Sequence, residues 1–242
     1  MAIDTLILDI EGTVCPITFV KDELFPYFIE KLPSFLSQIT FPISTTTTST
    51  NPIIPILQKL PESITTSSET VFSHFKSLVD QDIKDPILKS IQGIVWKLGY
   101  ENGDLSAPIY TDAISFIDNY PTTTLDKKIY IYSSGSVNAQ KLLFGHVRKE
   151  NGVVDLNSKL SGYFDITTSG YKNQSSSYVN ILKDINKEGS QVLFLSDNVH
   201  EVEAAIQAGM ESYVVVRPGN AALTDDEKEK YKLIYSFDEL DL

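Results

Sequence analysis

The sequence predicts an α/β protein: a doubly wound, mainly parallel sheet with a mainly helical unit inserted near its start. Three observations carry this. Short apolar, β-branched segments recur at 3–9, 128–134, 191–197 and 212–217, and all but the first alternate poorly between apolar and polar, as strands covered on both faces do. Helical patterns separate the last three, so strand and helix alternate. Between the first and second segments, however, lies far more chain than the about dozen residues a crossover needs, so an inserted unit must sit there. A chain of 242 residues, 42% hydrophobic, suffices for a packed core plus such an insert.

In chain order, "IDTLILD" (3–9) opens the sheet. The insert, 17–105, divides a core made of 1–16 and 106–242. Within it, 20–39, 70–83 and 87–100 repeat apolar residues at helical spacing, and "ISTTTTSTNP" (43–52) reads as a mobile surface loop. "TDAISFIDNY" (111–120) returns the chain to the sheet as a helix, and "KIYIYSS" (128–134) is the second strand. Three more helices are expected. Residues 137–147 place Leu142, Leu143 and Val147 on one face, and 175–186 place Tyr178, Ile181, Leu182 and Ile185 likewise. The third, 200–209, stops at Gly209. "QVLFLSD" and "SYVVVR" are the remaining strands. "RPGN" (217–220) reads as a turn, and Thr224 with Glu227 as a capping box.

Composition excludes several function classes. A net charge of −12 opposes binding to nucleic acids or anionic membranes, which depends on basic patches. Cys15 is the only cysteine, so no internal disulfide forms, and it reads as small apolar filler. The N-terminus lacks the basic and apolar regions of a signal peptide, and no apolar run reaches the roughly 18 residues of a membrane helix, so a soluble intracellular protein is expected. Neither GxxxxGK[ST] nor GxGxxG occurs.

Open parallel sheets bind ligands beyond the carboxyl ends of their strands. There the sequence sets Asp9-Ile10-Glu11-Gly12-Thr13, Ser133-Ser134-Gly135-Ser136 and Ser196-Asp197-Asn198. Like charges two apart on a strand, Asp9 and Glu11, repel unless a cation stands near. Mg²⁺ takes one or two carboxylates, waters and a phosphate, and Asp9 with Asp197 supplies the pair. Ser133, Ser134 and the N–H groups where strand turns into helix form a phosphate cradle. Lys172, in the loop before the 175–186 helix, offers that phosphate a compact positive charge. His74, His146 and His200 show no ligand spacing. Asn198 reads as a helix cap and Glu201 as an acid favoured in a first helical turn.

"DIEGT", "YSSGS", the lone downstream lysine and "FLSDNVHEVEAA" resemble the four motifs of the haloacid dehalogenase-like phosphatases. "LDIEGTVCPITFVKDELFPY", "IYIYSSGSVNAQKLLFGH" and "VVVRPGNAALTDDEKEKY" are similar to one family among them, the enolase-phosphatases (acireductone synthases) of methionine salvage. The resemblance implies a dehalogenase-like core with a helical cap. It implies Asp9 as the nucleophile and a Mg²⁺ ligand, and Glu11 at the metal through its backbone carbonyl and as the acid and base. Ser133, Ser134 and Lys172 would bind the substrate phosphate, and Asp197 would complete the site of one Mg²⁺ per subunit. The expected substrate is 2,3-diketo-5-methylthiopentyl-1-phosphate, enolised and then dephosphorylated. A monomer is expected in the cytoplasm, with the nucleus as a second compartment. The chain departs from the pattern in "NQSSS" after Lys172 and in its Thr-rich loop. Two alternatives stay open: a phosphatase of the same superfamily acting on another small ester, and a receiver-like protein carrying phospho-Asp9 as a signal.

Overall fold

The computed structural model describes residues 3–123 and 127–242. Its strands are β1 (Thr5–Leu8), β2 (Lys128–Tyr132), β3 (Val147–Lys149), β4 (Gly152–Val154), β5 (Gly162–Phe164), β6 (Val192–Ser196), β7 (Glu211–Val215) and β8 (Leu233–Ile234). Its helices are α1 (Phe25–Leu36), α2 (Ile54–Leu57), α3 (Ser68–Asp80), α4 (Pro86–Glu101), α5 (Thr111–Thr123), α6 (Val137–Gly145), α7 (Ser175–Ile185), α8 (Val199–Gln207) and α9 (Asp225–Lys230). The chain divides into two compact units, Met1–Phe19 with Ser106–Leu242, and Val20–Leu105.

In the first unit a six-stranded sheet runs in the order β5-β2-β1-β6-β7-β8, with every neighbouring pair parallel. The chain enters at β1, builds outward through β2 to β5, then returns to β6 on the other side of β1 and builds toward β8. The order therefore reverses between β1 and β6, the switch point at which such sheets bind ligands. Leu8 stands opposite both Ile131 and Leu195, so β1, β2 and β6 end level with one another. Every residue of β1 and β6 is buried, which is why neither needs in–out alternation. On one face Ile7 and Phe194 pack against Tyr178, Ile181 and Leu182 of α7 and Ala204 and Ala205 of α8.

The expected helix over 137–147 is shorter. It ends at Gly145, because His146 leaves helical geometry (φ −135°, ψ 51°) and the next backbone groups pair with Ala107 instead. Val147 thus opens the β3–β4 hairpin, and the buried face of α6 is Leu143 with Phe144 rather than Leu142. The Thr224–Glu227 capping box and the Asn198 cap are both formed, and Gly209 (φ +92°) follows the end of α8.

The second unit is helical. Apolar residues at helical spacing, Phe28, Leu32 and Leu36 of α1, Val71 and Phe75 of α3, and Leu88, Ile91 and Val95 of α4, form its core. Ser67 caps α3 through a capping box with Thr70. Asp85 caps α4, whose first residue is Pro86, the position where proline costs no hydrogen bond. The Trp96 indole donates to the Leu24 carbonyl at 2.9 Å and its ring stacks on Phe25. The Thr-rich loop is exposed from Ser44 onward except at half-buried Thr47 and Asn51; Ile43 is buried, and Gln58 Nε2 donates to the carbonyls of Ser44 and Thr47. Among the described residues no helix is long and apolar enough to cross a membrane.

Candidate active site

The level ends of β1 and β6 set the site. Asp9 follows β1 directly, and its N–H still donates to the Leu195 carbonyl at 2.9 Å, so its position is fixed by the sheet. The residue is 6% exposed. Its Oδ1 meets Lys172 Nζ at 2.5 Å, and its Oδ2 accepts from the Ser196 hydroxyl at 3.3 Å. Lys172 reaches this edge because the Tyr178 hydroxyl, from the first turn of α7, donates to the Lys172 carbonyl at 2.7 Å. The lysine is also buried, and its ammonium pairs at 2.6 Å with Glu201 Oε2. Burial opposes its charge, but Asp9 and Glu201 outweigh that and hold Lys172 protonated well above the ordinary lysine range. Ser196 Oγ bridges the two acids, donating also toward Glu201 Oε2 at 2.9 Å.

Asp197 follows β6. Burial, then the negative charges of Asp9 and Glu201, push its carboxyl up to about 7. Burial, then the negative charge of Asp9, also raise Glu201. One buried lysine therefore faces one buried acid, Asp9, and two half-buried ones, Glu201 and Asp197. The Asp197 N–H donates to Thr13 Oγ1 at 3.1 Å, which ties the β6 end to the turn after β1. In that turn the N–H groups of Thr13, Val14 and Cys15 converge on the Ile10 carbonyl. Glu11 lies half-buried in it, its backbone bridged to Cys15. Gly12 adopts φ +76°, and a Cβ there would come within 2.5 Å of Asp197 Oδ2, so only glycine fits.

Ser133 stands at the end of β2, buried, its N–H bound to the Phe164 carbonyl at 3.2 Å. Two of the backbone N–H groups expected to form the cradle are instead engaged within the protein. Gly135 N–H donates to Ser133 Oγ at 3.2 Å, and Val137 N–H to Asp165 Oδ2 at 3.0 Å. The first bond occupies an acceptor position on Ser133 Oγ and leaves its proton to be offered outward. Ser134 follows, half-buried.

The structure thus brings Asp9, Lys172 and Asp197 into one charged cluster at the switch point, with Ser133 and Ser134 at the end of the neighbouring strand. Sequence reasoning passed over Glu201, Ser196, Arg217 and Asn220. Arg217 Nε donates to the Thr13 carbonyl at 3.0 Å and its Nη2 pairs with Asp112 at 2.7 Å, while Asn220 Nδ2 donates to the Gly12 carbonyl at 2.9 Å. The signal was their spacing: Glu201 is one helical turn past Asp197, and "RPGN" follows a strand that ends at the same edge.

Among the described residues no three His, Cys, Asp or Glu side chains gather as a metal-holding group. A hard divalent cation needs only one or two carboxylates, drawing its other oxygens from carbonyls, waters and substrate. Asp9 and Asp197, with excess negative charge around them, fit that demand.

An open parallel sheet with a lysine-held aspartate at its switch point is the arrangement of the haloacid dehalogenase-like hydrolases, whose family model matches residues 3–209. Enolase-phosphatase E1 of Candida tropicalis is 65% identical over 100% of both chains. The Scheffersomyces stipitis protein of that name is 65% identical over 99% of this chain and 100% of its own. The crystal structure of Unknown transcript 4 protein from Saccharomyces cerevisiae matches with a TM-score of 0.83 at 46% identity, covering 98% of this chain and 100% of the other. The chain belongs to the haloacid dehalogenase-like hydrolases and, within them, to the enolase-phosphatases. That membership points to a divalent metal as cofactor.

Proposed function

We propose that this protein converts 2,3-diketo-5-methylthiopentyl-1-phosphate to 1,2-dihydroxy-3-keto-5-methylthiopentene and phosphate, the enolase-phosphatase step of methionine salvage. The observation that carries the reading is the buried Asp9–Lys172–Glu201 cluster beside Asp197, in a chain 65% identical to a full-length Enolase-phosphatase E1.

In the first half-reaction a base takes a proton from the carbon bearing the phosphate ester and keeps it, and the adjacent carbonyl oxygen takes one from solvent water. Glu11 is assigned as that base; it has one methylene more reach than an aspartate would. In the second half-reaction an Asp9 carboxylate oxygen bonds to phosphorus as the ester P–O bond breaks. The leaving oxygen takes a proton from Glu11, which next removes one from the water that hydrolyses the aspartyl-phosphate. The Lys172 ammonium neutralises Asp9 and the phosphate, and the Ser133 and Ser134 hydroxyls hold the non-transferring phosphate oxygens. Asp9, Asp197 and the Glu11 carbonyl would hold one Mg²⁺ per subunit, which would supply Lewis acidity at phosphoryl and carbonyl oxygens. Selection of the thioether tail is assigned to the helical insert, 17–105. Sequence resemblance supports a monomer in the cytoplasm and nucleus.

The test is an assay on the diketo phosphate with Mg²⁺ that follows enol absorbance and released phosphate separately. Enol followed by phosphate, with release blocked in Asp9→Asn, is expected. Hydrolysis of generic phosphate esters with no turnover of the diketone would sink the substrate assignment and leave a phosphatase of the same superfamily.

A further inference from the structure

The turn after β7 contains a side chain that the reaction as described does not use. Asn220 Nδ2 donates to the Gly12 carbonyl at 2.9 Å and to the Val215 carbonyl at 3.2 Å. Two carbonyl acceptors determine which end of the amide is nitrogen. The opposite end, Oδ1, is buried and has no hydrogen-bond partner among the described residues. Native structures rarely keep such an acceptor unfilled. Its location indicates the missing donor. A Cβ built on Gly12 would lie 3.0 Å from Asn220 Oδ1 and 2.5 Å from Asp197 Oδ2, so the two oxygens flank one point. An amide oxygen cannot donate, and a carboxylate that holds a cation is ionised and cannot donate either. A donor that suits both is water, and a small hard cation on a carboxylate pair keeps several waters whose polarised O–H groups seek acceptors. Arg217, three residues earlier, holds the next carbonyl, that of Thr13, so the turn following Glu11 is clamped at two consecutive peptides from one loop.

We propose that Asn220 is a positioning residue of the cation site: Nδ2 locks the Gly12 peptide, and Oδ1 accepts a hydrogen bond from a water of the cation's hydration shell beside Asp197. This rests on the assignment of Asp9 and Asp197 as cation ligands.

The experiment titrates metal-free protein with Mn²⁺ alone, reading the dissociation constant by electron paramagnetic resonance and the bound water by water-proton relaxation. Wild type, Asn220→Ala, Asn220→Ser and the control Asp197→Asn are compared, together with metal-free melting temperatures. In Asn220→Ala the dissociation constant is expected to rise about 10- to 100-fold, the usual effect of removing a group that orients metal ligands, and the relaxation enhancement per bound ion to change. A wild-type constant and enhancement in Asn220→Ala, whatever its melting temperature, overturns the proposal. If that variant does not fold, the same titration on Asn220→Ser decides. Wild-type Mn²⁺ binding in Asp197→Asn overturns the cation assignment itself, so that failure is distinguishable from failure of the Asn220 role.

Discussion

Buried Lys172 and half-buried Glu201 form an ion pair, Nζ to Oε2 at 2.6 Å, while the same ammonium holds Asp9 Oδ1. The lysine is thus divided between two carboxylates. Without the Glu201 charge, Lys172 would bind Asp9 alone and more tightly, withdrawing electron density from the proposed nucleophile. Glu201→Gln keeps an acceptor for Ser196 and removes only the charge. It is expected to slow phosphate release roughly 10- to 100-fold, equivalent to about 1–3 kcal/mol for a charged hydrogen bond. Single-turnover phosphate release measures it, and an unchanged rate would show that Glu201 serves only to fold α8 onto the sheet.

Gly12 has its own signature. A methyl group there meets Asp197 Oδ2 at 2.5 Å and must also adopt φ +76°. Gly12→Ala is expected to destabilise the protein by roughly 1–2 kcal/mol through left-handed backbone strain, and further by displacing Asp197. Adding Asp197→Ala removes the clash but not the strain. Urea unfolding of both singles and the double should therefore show the pair less destabilised than additivity requires. Strict additivity would mean that Asp197 moves aside at no cost.

Much of this architecture was legible because parallel strands declare themselves twice, by β-branched apolar runs and by what stands at their ends. Asp9, Ser133 and Asp197 each end such a run, and the sheet needed only to bring β1, β2 and β6 together to make them neighbours. Lys172 was legible through motif and charge. Glu201 was not, since an acid in a first helical turn is favoured by the helix dipole whether or not a lysine lies opposite. Nor were Arg217 and Asn220, whose partners in the turn after β1 are the backbone carbonyls of Thr13 and Gly12, which leave no trace in residue type. Strands β5 and β8 escaped notice because three and two residues are too few for a pattern to build.

Asp112 supplies a pH dependence remote from the reacting groups. Burial alone would raise its carboxyl; the Arg217 guanidinium at 2.7 Å and the N–H groups of Phe237 and Ala113 outweigh that and hold it below the usual carboxylate range. A group depressed on folding contributes stability above its unfolded pKa, about 3.9, and loses it as pH falls through the lower folded value. Asp112→Asn should therefore cost roughly 3 kcal/mol at neutral pH, as for a broken buried pair. The difference from wild type should narrow below about pH 4. Chemical unfolding of both proteins at pH 7 and pH 3 measures the gap, and a gap that stays constant would deny Asp112 its ionised role.

Glu11 separates the two half-reactions. Asp9 is engaged by Lys172 and Ser196, and Glu11 lies half-buried in the turn formed on the Ile10 carbonyl. If one carboxylate is both the enolising base and the acid for the leaving oxygen, Glu11→Gln must impair both steps. General acid–base groups contribute typically 10²–10⁴-fold, so enol formation and phosphate release should each fall by about that factor, while the binding of inorganic phosphate changes little. Glu11→Asp shortens the side chain by one methylene and keeps the carboxyl. It should restore phosphate release more fully than enolisation, if reach to the carbon that loses its proton is what the longer side chain supplies. Normal enolisation in Glu11→Gln with release alone impaired would reassign the enolising base to another residue and leave Glu11 as the phosphatase acid.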